Sequence, residues 1–296
     1  MNTTDSGYSR RRPKFEYIEA KTVEEACSLL SQCAGRVKLM AGGTDLLVSM
    51  RKGKITPFHV VNIKTIPNMD YIYYGKEELH IGALATLDAI ESSSLIKERF
   101  PIVGASACQV GSPQIRNVAT LGGNLCNAAP SADMAPSLIG LEATAKLKGI
   151  HGERVVALEK FFIGPGQTIL QEDEVLIEIE IPNPLPHTRG TYLKLPARTA
   201  IDLAVVGVAV VVTLDPRGIQ IVDAKIVMGA VAPTPVRATR AEDVIRGKSV
   251  EEKLVEEAAQ VASEEAAPIS DVRGSAVYRK EMVRVLADRA LRQVLG

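Results

Sequence analysis

Two glycine pairs are the residues of this chain whose type and spacing could bind an anion. Gly42 and Gly43 follow an apolar run, and Gly122 and Gly123 lie between Thr120 and Asn124. Backbone N–H groups that converge from a turn can hold a phosphate, and a glycine lets the phosphate approach because it has no Cβ. Two turns of this kind predict one diphosphate held from two sides.

The first pair has the pattern of a strand, a turn and a helix. Residues 37–40 predict a strand, Thr44 or Asp45 is a candidate N-cap, and the helix that follows ends near Gly53. The N-terminus of such a helix has unpaired N–H groups and a partial positive charge, which favour an anion. A glycine pair alone is also typical of a simple tight connection. Neither pair has the glycine spacing of the dinucleotide fingerprint, and a P-loop is absent from the sequence.

Polar side chains near the second pair extend the candidate site. The hydroxyl of Thr120 and the amide of Asn124 are groups that bind sugar and phosphate oxygens. Asp133 precedes a helical pattern at 134–141, so it is either an N-cap or a carboxylate that accepts hydrogen bonds from sugar-type hydroxyls. The sequence leaves both roles of Asp133 open.

With these segments the chain resembles the FAD-binding medium subunits of the molybdenum hydroxylases, the family of carbon monoxide dehydrogenase and xanthine dehydrogenase. The resemblance runs from Phe15 through nearly the whole chain and includes residues 178–182, 192–195 and 270–279. It implies an α+β fold: a two-subdomain FAD-binding fold of the vanillyl-alcohol-oxidase (PCMH) type, followed by an α+β C-terminal domain with a small antiparallel sheet and helices.

The resemblance also implies which residues hold the FAD. The pyrophosphate would lie between the two glycine segments, Asp133 would bind a sugar or ribityl hydroxyl, and Leu176 and Lys194 would line the flavin side. Val110 falls where the family often has a side chain that contacts the ring. The implied set is Leu39, Met40, Ala41, Gly42, Gly43, Thr44, Asp45, Leu46, Val110, Thr120, Leu121, Gly122, Gly123, Asn124, Asp133, Leu176 and Lys194.

Lys194 has two interpretations. By its position in the family it is a cation near the pyrimidine edge of the flavin, where it would stabilise the anionic reduced ring. The pattern alone favours an ordinary surface lysine that alternates out of a strand. No catalytic side chain is expected, because the cofactor would supply the redox chemistry. The nearest histidine to the first glycine pair is His59, well downstream, so the FAD is expected to be non-covalent.

Composition fits a globular protein with two domains. The chain has 296 residues, 46% of them hydrophobic, and its 35 basic and 35 acidic residues cancel. The absence of net charge makes nucleic acid and charged membrane surfaces poor partners. The apolar run at 203–214 is too short to cross a bilayer, and residues 1–13 do not resemble a signal peptide. We therefore expect a cytoplasmic protein without membrane insertion.

Prolines at 182, 184 and 186 predict a linker between the two domains. We expect a flexible tail at 1–14, an FAD-binding domain at 15–183 with subdomains at about 15–65 and 66–183, and a C-terminal domain at 187–296. Periodicity predicts hairpins at 71–83 and 143–158 and helices at 24–31, 87–100, 102–110, 250–267 and 276–295. The acidic residues of 251–265 are interpreted as a solvated helix face.

The four cysteines, Cys27, Cys33, Cys108 and Cys126, lack the spacing of a zinc or iron–sulfur site. They are expected to be plain thiols, and no metal ligand set is predicted on this chain. Cys126 lies within the second glycine segment, where it could contact a cofactor, but a small buried hydrophobe is the favoured interpretation.

A complete hydroxylase needs parts that this chain lacks. It has neither the cysteine pattern of a 2Fe-2S ferredoxin nor a sequence resembling a molybdopterin domain. The resemblance implies a small 2Fe-2S subunit, a large molybdopterin subunit and a dimer of heterotrimers, with electrons passed to an external acceptor such as NAD, a quinone or dioxygen.

Two alternatives remain open. The first is a stand-alone FAD-dependent reductase of the UDP-N-acetylenolpyruvoylglucosamine reductase type, which would turn over with NADPH alone. The second is a non-catalytic assembly or nucleotide-binding module whose glycine turns no longer hold flavin.

Overall fold

The computed structural model of the protein describes residues 14–33, 35–198 and 202–296. The first sheet has three parallel strands. The expected tail lies almost wholly outside the described residues. Strands β1 and β2 both pair in parallel with β3, which lies between them, and a helix covers each crossover. The elements are β1 (Glu16–Glu19), α1 (Val23–Gln32), β2 (Val37–Met40), α2 (Leu46–Arg51) and β3 (His59–Asn62). The first glycine pair lies between β2 and α2, as predicted.

The second sheet has five antiparallel strands in the order β4-β5-β10-β6-β7. The two predicted hairpins form its halves, and β10, from much later in the chain, pairs between them. This central strand joins the two hairpins into one sheet. Its strands are β4 (Ile72–Tyr74), β5 (Glu78–Gly82), β6 (Thr144–Gly149), β7 (Gly152–Ala157) and β10 (Val175–Pro182).

Short helices connect the two halves of this sheet. The helix predicted at 87–100 is interrupted at Ser93, whose hydroxyl accepts a hydrogen bond from the N–H of Ile96 and begins a new helix. The predicted single helix is therefore wrong, because a capping serine competes with continuation. The elements are α3 (Leu87–Ser92), α4 (Ser94–Arg99), α5 (Pro101–Cys108), α6 (Pro113–Arg116), α7 (Leu121–Cys126), α8 (Met134–Gly140), a 3-10 turn (Leu158–Lys160), β8 (Phe162–Gly164) and β9 (Gln167–Thr168).

The third sheet is an antiparallel meander whose two faces are both covered. In its long strand β12, Ala209 and Val211 belong to the core shared with the second sheet, whereas Val208 and Val210 belong to a second core under the C-terminal helices. The antiparallel sheet that the resemblance implies and the two predicted C-terminal helices are present, and the sheet shares its inner core with α5 and α8. The elements are β11 (Thr188–Pro196), β12 (Ala204–Leu214), β13 (Ile221–Gly229), β14 (Val236–Arg237), α9 (Thr239–Ile245), α10 (Glu252–Glu265) and α11 (Ala276–Leu295).

The acidic residues of α10 lie on a solvated face, as predicted. Glu252, Glu256, Glu257 and Glu264 are exposed, while Val255 and Ala259 of the same helix are buried. Among the helices of the described residues, none combines the length and the apolar character that crossing a bilayer requires.

The turn after β2 packs directly on the backbone that leads to the second glycine pair. A Cβ at Gly42 would lie 2.1 Å from the carbonyl oxygen of Val118 and 2.9 Å from the Cα of Ala119. A glycine is therefore required at this position, because the first sheet packs here on the main chain of the segment that precedes α7.

We expect Gly42→Ala to lower the free energy of unfolding by about 1–3 kcal/mol, because the added methyl group forces two backbone segments apart. Gly104→Ala is the matched control: its Cβ would meet only the Cγ2 of Ile96, at 3.5 Å. As Gly104 lies within α5, the control should be neutral or stabilising by up to about 1 kcal/mol. Urea unfolding measures both variants, and equal stabilities would contradict the close approach at Gly42.

Candidate functional site

A cavity of about 830 Å³ lies where the three sheets meet. It is lined by the turn after β2, by α7 and the loop after it, by the start of β10 and by β11. This volume is within the range of small-molecule and cofactor sites, about 300–1,000 Å³. All the predicted site residues line the cavity except Leu121, which is fully buried behind it.

The turn after β2 offers a row of backbone donors to the cavity. Within the described part of the chain, the N–H groups of residues 41–46 donate no hydrogen bond to a protein acceptor. Gly43 has a φ of +71°, the left-handed conformation that curves such a turn into a concave nest of N–H groups. Nests of this kind bind anions, so the turn has the chemistry of a phosphate-binding loop.

Thr44 and Asp45 do not cap the helix after this turn. Asp45 occupies the N-cap position of α2, but its backbone is helical and its carboxylate makes no capping hydrogen bond. The predicted cap is therefore wrong, and its absence leaves the N–H groups of the turn available. Burial raises the pKa of the Asp45 carboxyl.

The second glycine segment uses its backbone donors inside the protein. The N–H of Leu121 donates to Ala85 O, that of Gly122 to Ala83 O, and that of Gly123 to the Thr120 hydroxyl, which caps α7. A Cβ at Gly122 would lie 2.8 Å from Ala83 Cβ. The main chain of this segment therefore holds the fold together, and the donors that the sequence predicted here are not free.

Side chains of the second segment face the cavity instead. The Oδ1 of Asn124 is buried, and no atom of the described residues pairs with it. A buried amide oxygen without a partner is costly, so a hydrogen-bond donor of a bound molecule would satisfy it. At Gly123, a Cβ would meet only the Thr120 hydroxyl, at 2.9 Å. The open side of Gly123 thus forms part of the cavity wall.

Asp133, Tyr192 and Lys194 form a buried polar cluster at the other end of the cavity. The Tyr192 hydroxyl donates to Asp133 Oδ1 over 2.7 Å, and Lys194 Nζ donates to Asp133 Oδ2 over 2.9 Å. Lys194 Nζ also donates to Gln109 O over 2.8 Å. The Lys194 side chain is only 1% exposed, so the interpretation as a surface lysine is wrong: both faces of its sheet are covered. The N-cap interpretation of Asp133 is also wrong, since its carboxylate makes no capping hydrogen bond.

The sequence around β11 makes room for this cluster. Tyr192 and Lys194 lie two residues apart on one face of β11, and Gly207 on β12 is opposite Lys194. A Cβ at Gly207 would lie 2.5 Å from the Tyr192 hydroxyl oxygen. A glycine at this position therefore lets the tyrosine reach Asp133.

The cluster retains capacity for a ligand. Burial raises the pKa of the Asp133 carboxyl, while Lys194 and Tyr192 act in the opposite direction. Burial and Asp133 together raise the pKa of Tyr192 well above its ordinary value, so Tyr192 stays a hydrogen-bond donor. An ammonium has three donors, and Lys194 uses two of them within the described residues. One N–H of Lys194 and further lone pairs of Asp133 remain.

Several lining residues were not predicted from the sequence. The polar ones come from β2, the end of α2, the loops at 126–132 and 170–174 and the segment before β12. Only those in the two loops had a signal in the sequence, their nearness to Asn124 or Leu176. Cys126, which the sequence singled out, lines the cavity, and burial raises its pKa to about 12, so it is a protonated thiol. The polar residues missed are Lys38, Ser49, Asn127, Ser131, Gln171, Glu172, Glu174 and Asp202.

Two family models match the chain in succession. Residues 13–184 match the FAD binding domain in molybdopterin dehydrogenase, and residues 191–294 match the CO dehydrogenase flavoprotein C-terminal domain. The medium chain of carbon monoxide dehydrogenase from Hydrogenophaga pseudoflava is 34% identical over 94% of this chain and 96% of its own length. The xanthine dehydrogenase FAD-binding subunit of Escherichia coli O157:H7 is 29% identical over 95% and 96%, respectively.

Solved structures show the same likeness over the whole fold. A chain of carbon monoxide dehydrogenase from Hydrogenophaga pseudoflava superposes with a TM-score of 0.92 at 35% identity, covering 95% of this chain and 97% of that one. A chain of quinoline 2-oxidoreductase from Pseudomonas putida 86 superposes with a TM-score of 0.90 at 27% identity, covering 96% and 98%.

The buried pair predicts a strong energetic coupling. We expect Asp133→Asn and Lys194→Met each to lower the free energy of unfolding by about 3–5 kcal/mol, because each leaves a buried partner uncompensated. The double variant should lose less than the sum of the two, by at least about 1 kcal/mol.

Urea unfolding of the four proteins in the cycle measures this coupling. Lys21→Met, which removes an exposed pair with Glu19 at 2.9 Å, is the control and should cost no more than about 1 kcal/mol. Additive losses for Asp133 and Lys194 would show that the two side chains do not act as a pair.

Proposed function

The chain belongs to the FAD-binding medium subunits of the molybdenum hydroxylases, the family of carbon monoxide dehydrogenase and xanthine dehydrogenase, and on this premise we propose that its cavity holds FAD. The protein is an FAD-binding electron-transfer subunit of a multi-subunit molybdenum-containing oxidoreductase. The observation that carries the assignment of the cavity is the nest of free N–H groups at residues 41–46. When bound, FAD supplies reversible electron-transfer chemistry, and the protein supplies binding, orientation and electrostatics.

The pyrophosphate is assigned to the turn after β2. Its unpaired N–H groups at 41–46 offer donors to a dianionic group without a charged side chain, and the positive φ of Gly43 shapes the nest. From the other wall, the Thr120 hydroxyl and the Nδ2 of Asn124 can donate to phosphate oxygens, while the buried Oδ1 of Asn124 is left to accept from a ligand hydroxyl. One diphosphate is therefore held from two sides, by main chain on the first side and by polar side chains on the second.

The sugar or ribityl hydroxyls and the flavin are assigned to the other end of the cavity. Asp133 has lone pairs left for hydroxyl donors, and the remaining N–H of Lys194 can donate to a ligand oxygen or nitrogen. Leu39, Val110 and Leu176 add apolar wall. A cation fixed by Asp133 and Gln109 favours negative charge that develops on a bound ring, so Lys194 acts electrostatically.

The rest of the enzyme is assigned to partner chains. Relatives named as a medium chain and as an FAD-binding subunit belong to larger assemblies, and no cysteine belongs to a cluster of possible metal ligands in residues 14–33, 35–198 and 202–296. We assign electron input to a small 2Fe-2S subunit, substrate chemistry to a large molybdopterin subunit, and the assembly to a dimer of heterotrimers in the cytoplasm. The external acceptor is NAD, a quinone or dioxygen.

Neither alternative function is favoured. The stand-alone reductase and the non-catalytic module both predict relatives that work alone or without flavin. The relatives reported above, in contrast, carry names of subunits, and the matching family model is that of an FAD-binding domain.

We expect Gly123→Val to lose FAD, because its branched side chain extends into the cavity from a wall where only the Thr120 hydroxyl is near. Purified chain is incubated with FAD, desalted and examined by visible absorbance, and acid precipitation then shows whether the flavin is released. Wild type should be yellow and release intact FAD, as a non-covalent complex does.

Two controls separate blockage from loss of structure. Thr86→Val removes the cap of α3 away from the cavity lining, at a cost of about 1 kcal/mol, and Cys126→Ala removes a lining thiol; both should retain FAD. Equal flavin content in Gly123→Val and wild type would refute the assigned cradle. A wild-type chain that stays colourless even with its co-expressed partners would overturn the proposed function itself.

A further inference from the structure

A second group of ligand-type side chains lies on the five-stranded sheet, away from the cavity lining. His80 on β5 is directly opposite Glu180 on the neighbouring strand β10, and Glu178 lies two residues before Glu180 on the same face. The Nδ1 of His80 is 3.5 Å from Glu178 Oε1 and 4.0 Å from Glu180 Oε1. Strand pairing therefore brings one imidazole and two carboxylates to a single point.

These groups are buried enough for their charges to matter. The side chains of His80, Glu178 and Glu180 are 13%, 7% and 20% exposed. His80 Nδ1 is fully enclosed and has no hydrogen-bond partner among the described residues. Two adjacent carboxylates out of water repel each other unless a cation lies between them.

The second polar atom of each of the three side chains lies beside another polar group of the protein. Glu78 Oε1 lies 3.4 Å from His80 Nε2, the Tyr71 hydroxyl donates to Glu178 Oε2, and the Thr144 hydroxyl donates to Glu180 Oε2 over 3.4 Å. With an ion bound at Nδ1, the imidazole proton would be at Nε2, where Glu78 can accept it. This is the arrangement of metal ligands oriented by outer partners.

The distances suit a small divalent ion. In a tetrahedral site with bonds of about 2.0–2.2 Å, ligand atoms lie about 3.4 Å apart, close to the separations from His80 Nδ1. We propose that His80, Glu178 and Glu180 bind one divalent transition-metal ion of the zinc type, with the fourth position open to water. The ion's two positive charges balance the two carboxylates.

The ion crosslinks the sheet. It ties β5 to β10, and through Tyr71 it anchors the chain just before β4. None of its three ligands lines the FAD cavity, so the site is separate from the flavin and does not depend on the function proposed above. The competing arrangement is a protonated His80 that serves as the shared counterion of the two carboxylates, without any metal.

Isothermal titration with zinc chloride tests the site on the full chain after chelator treatment and dialysis. We expect one ion per chain, and at least about tenfold weaker binding in His80→Gln and in Glu180→Gln. Thr144→Val, which removes only an outer partner, should weaken binding by about tenfold. His59→Gln is the matched control, because His59 pairs at 3.2 Å with a single exposed carboxylate, Glu16, and should leave binding unchanged.

A second readout does not require a folded variant. Cobalt chloride added to the wild-type protein should give the absorption of four-coordinate cobalt without the thiolate charge-transfer band that cysteine ligands produce. Zinc should also raise the thermal midpoint of wild type. If no stoichiometric ion binds to wild type, the site is overturned in favour of the protonated histidine. Zinc binding that persists in both His80→Gln and Glu180→Gln would show an adventitious ion only and would also overturn the site.

Discussion

The close approach of two backbone segments is the constraint on which this site depends. Gly42 lies against Val118 and Ala119, and the next residue, Thr120, begins the second glycine segment. A side chain at Gly42 would separate the parallel sheet from the segment that precedes α7 and open the cavity between them. Because glycine permits the contact, the turn at 41–46 lies beside Thr120 and Asn124 and directs its free N–H groups toward the same space.

The third sheet completes the cavity through a buried ion pair. Lys194 and Tyr192 reach Asp133 from β11, and Gly207 on the neighbouring strand leaves room for the tyrosine. A buried ion pair contributes little net stability, because desolvation offsets most of the attraction between the charges. Its value here is positional: Asp133, Gln109 and the strand itself fix an ammonium group where a charged ligand needs it.

Local sequence patterns predicted much of the fold and the site. They failed where contacts with segments distant in sequence determine the burial or the role of a residue. The strand, turn and helix around Gly42 and the hairpins were predicted correctly, because turn residues and periodicity act over short spans. The exposure of Lys194 was predicted wrongly from strand alternation, since the sequence does not show that α5 and α8 cover the second face of its sheet. The sequence left two roles open for Asp133, an N-cap or a ligand-binding carboxylate. Its carboxylate accepts hydrogen bonds from Tyr192 and Lys194, both distant in sequence, and makes no capping hydrogen bond.

Strand β10 shows most clearly why alternation is not enough. By simple alternation Leu176, Glu178 and Glu180 would share one face, but Leu176 pairs with Leu147 and Glu178 with Lys146. A bulge between them adds a residue to β10 and reverses the faces that follow. Leu176 therefore lines the cavity, while Glu178 and Glu180 meet Tyr71 and His80 on the opposite face. One irregularity thus lets a single strand serve two sites with different chemistry, an apolar wall for a ring and carboxylates for a cation.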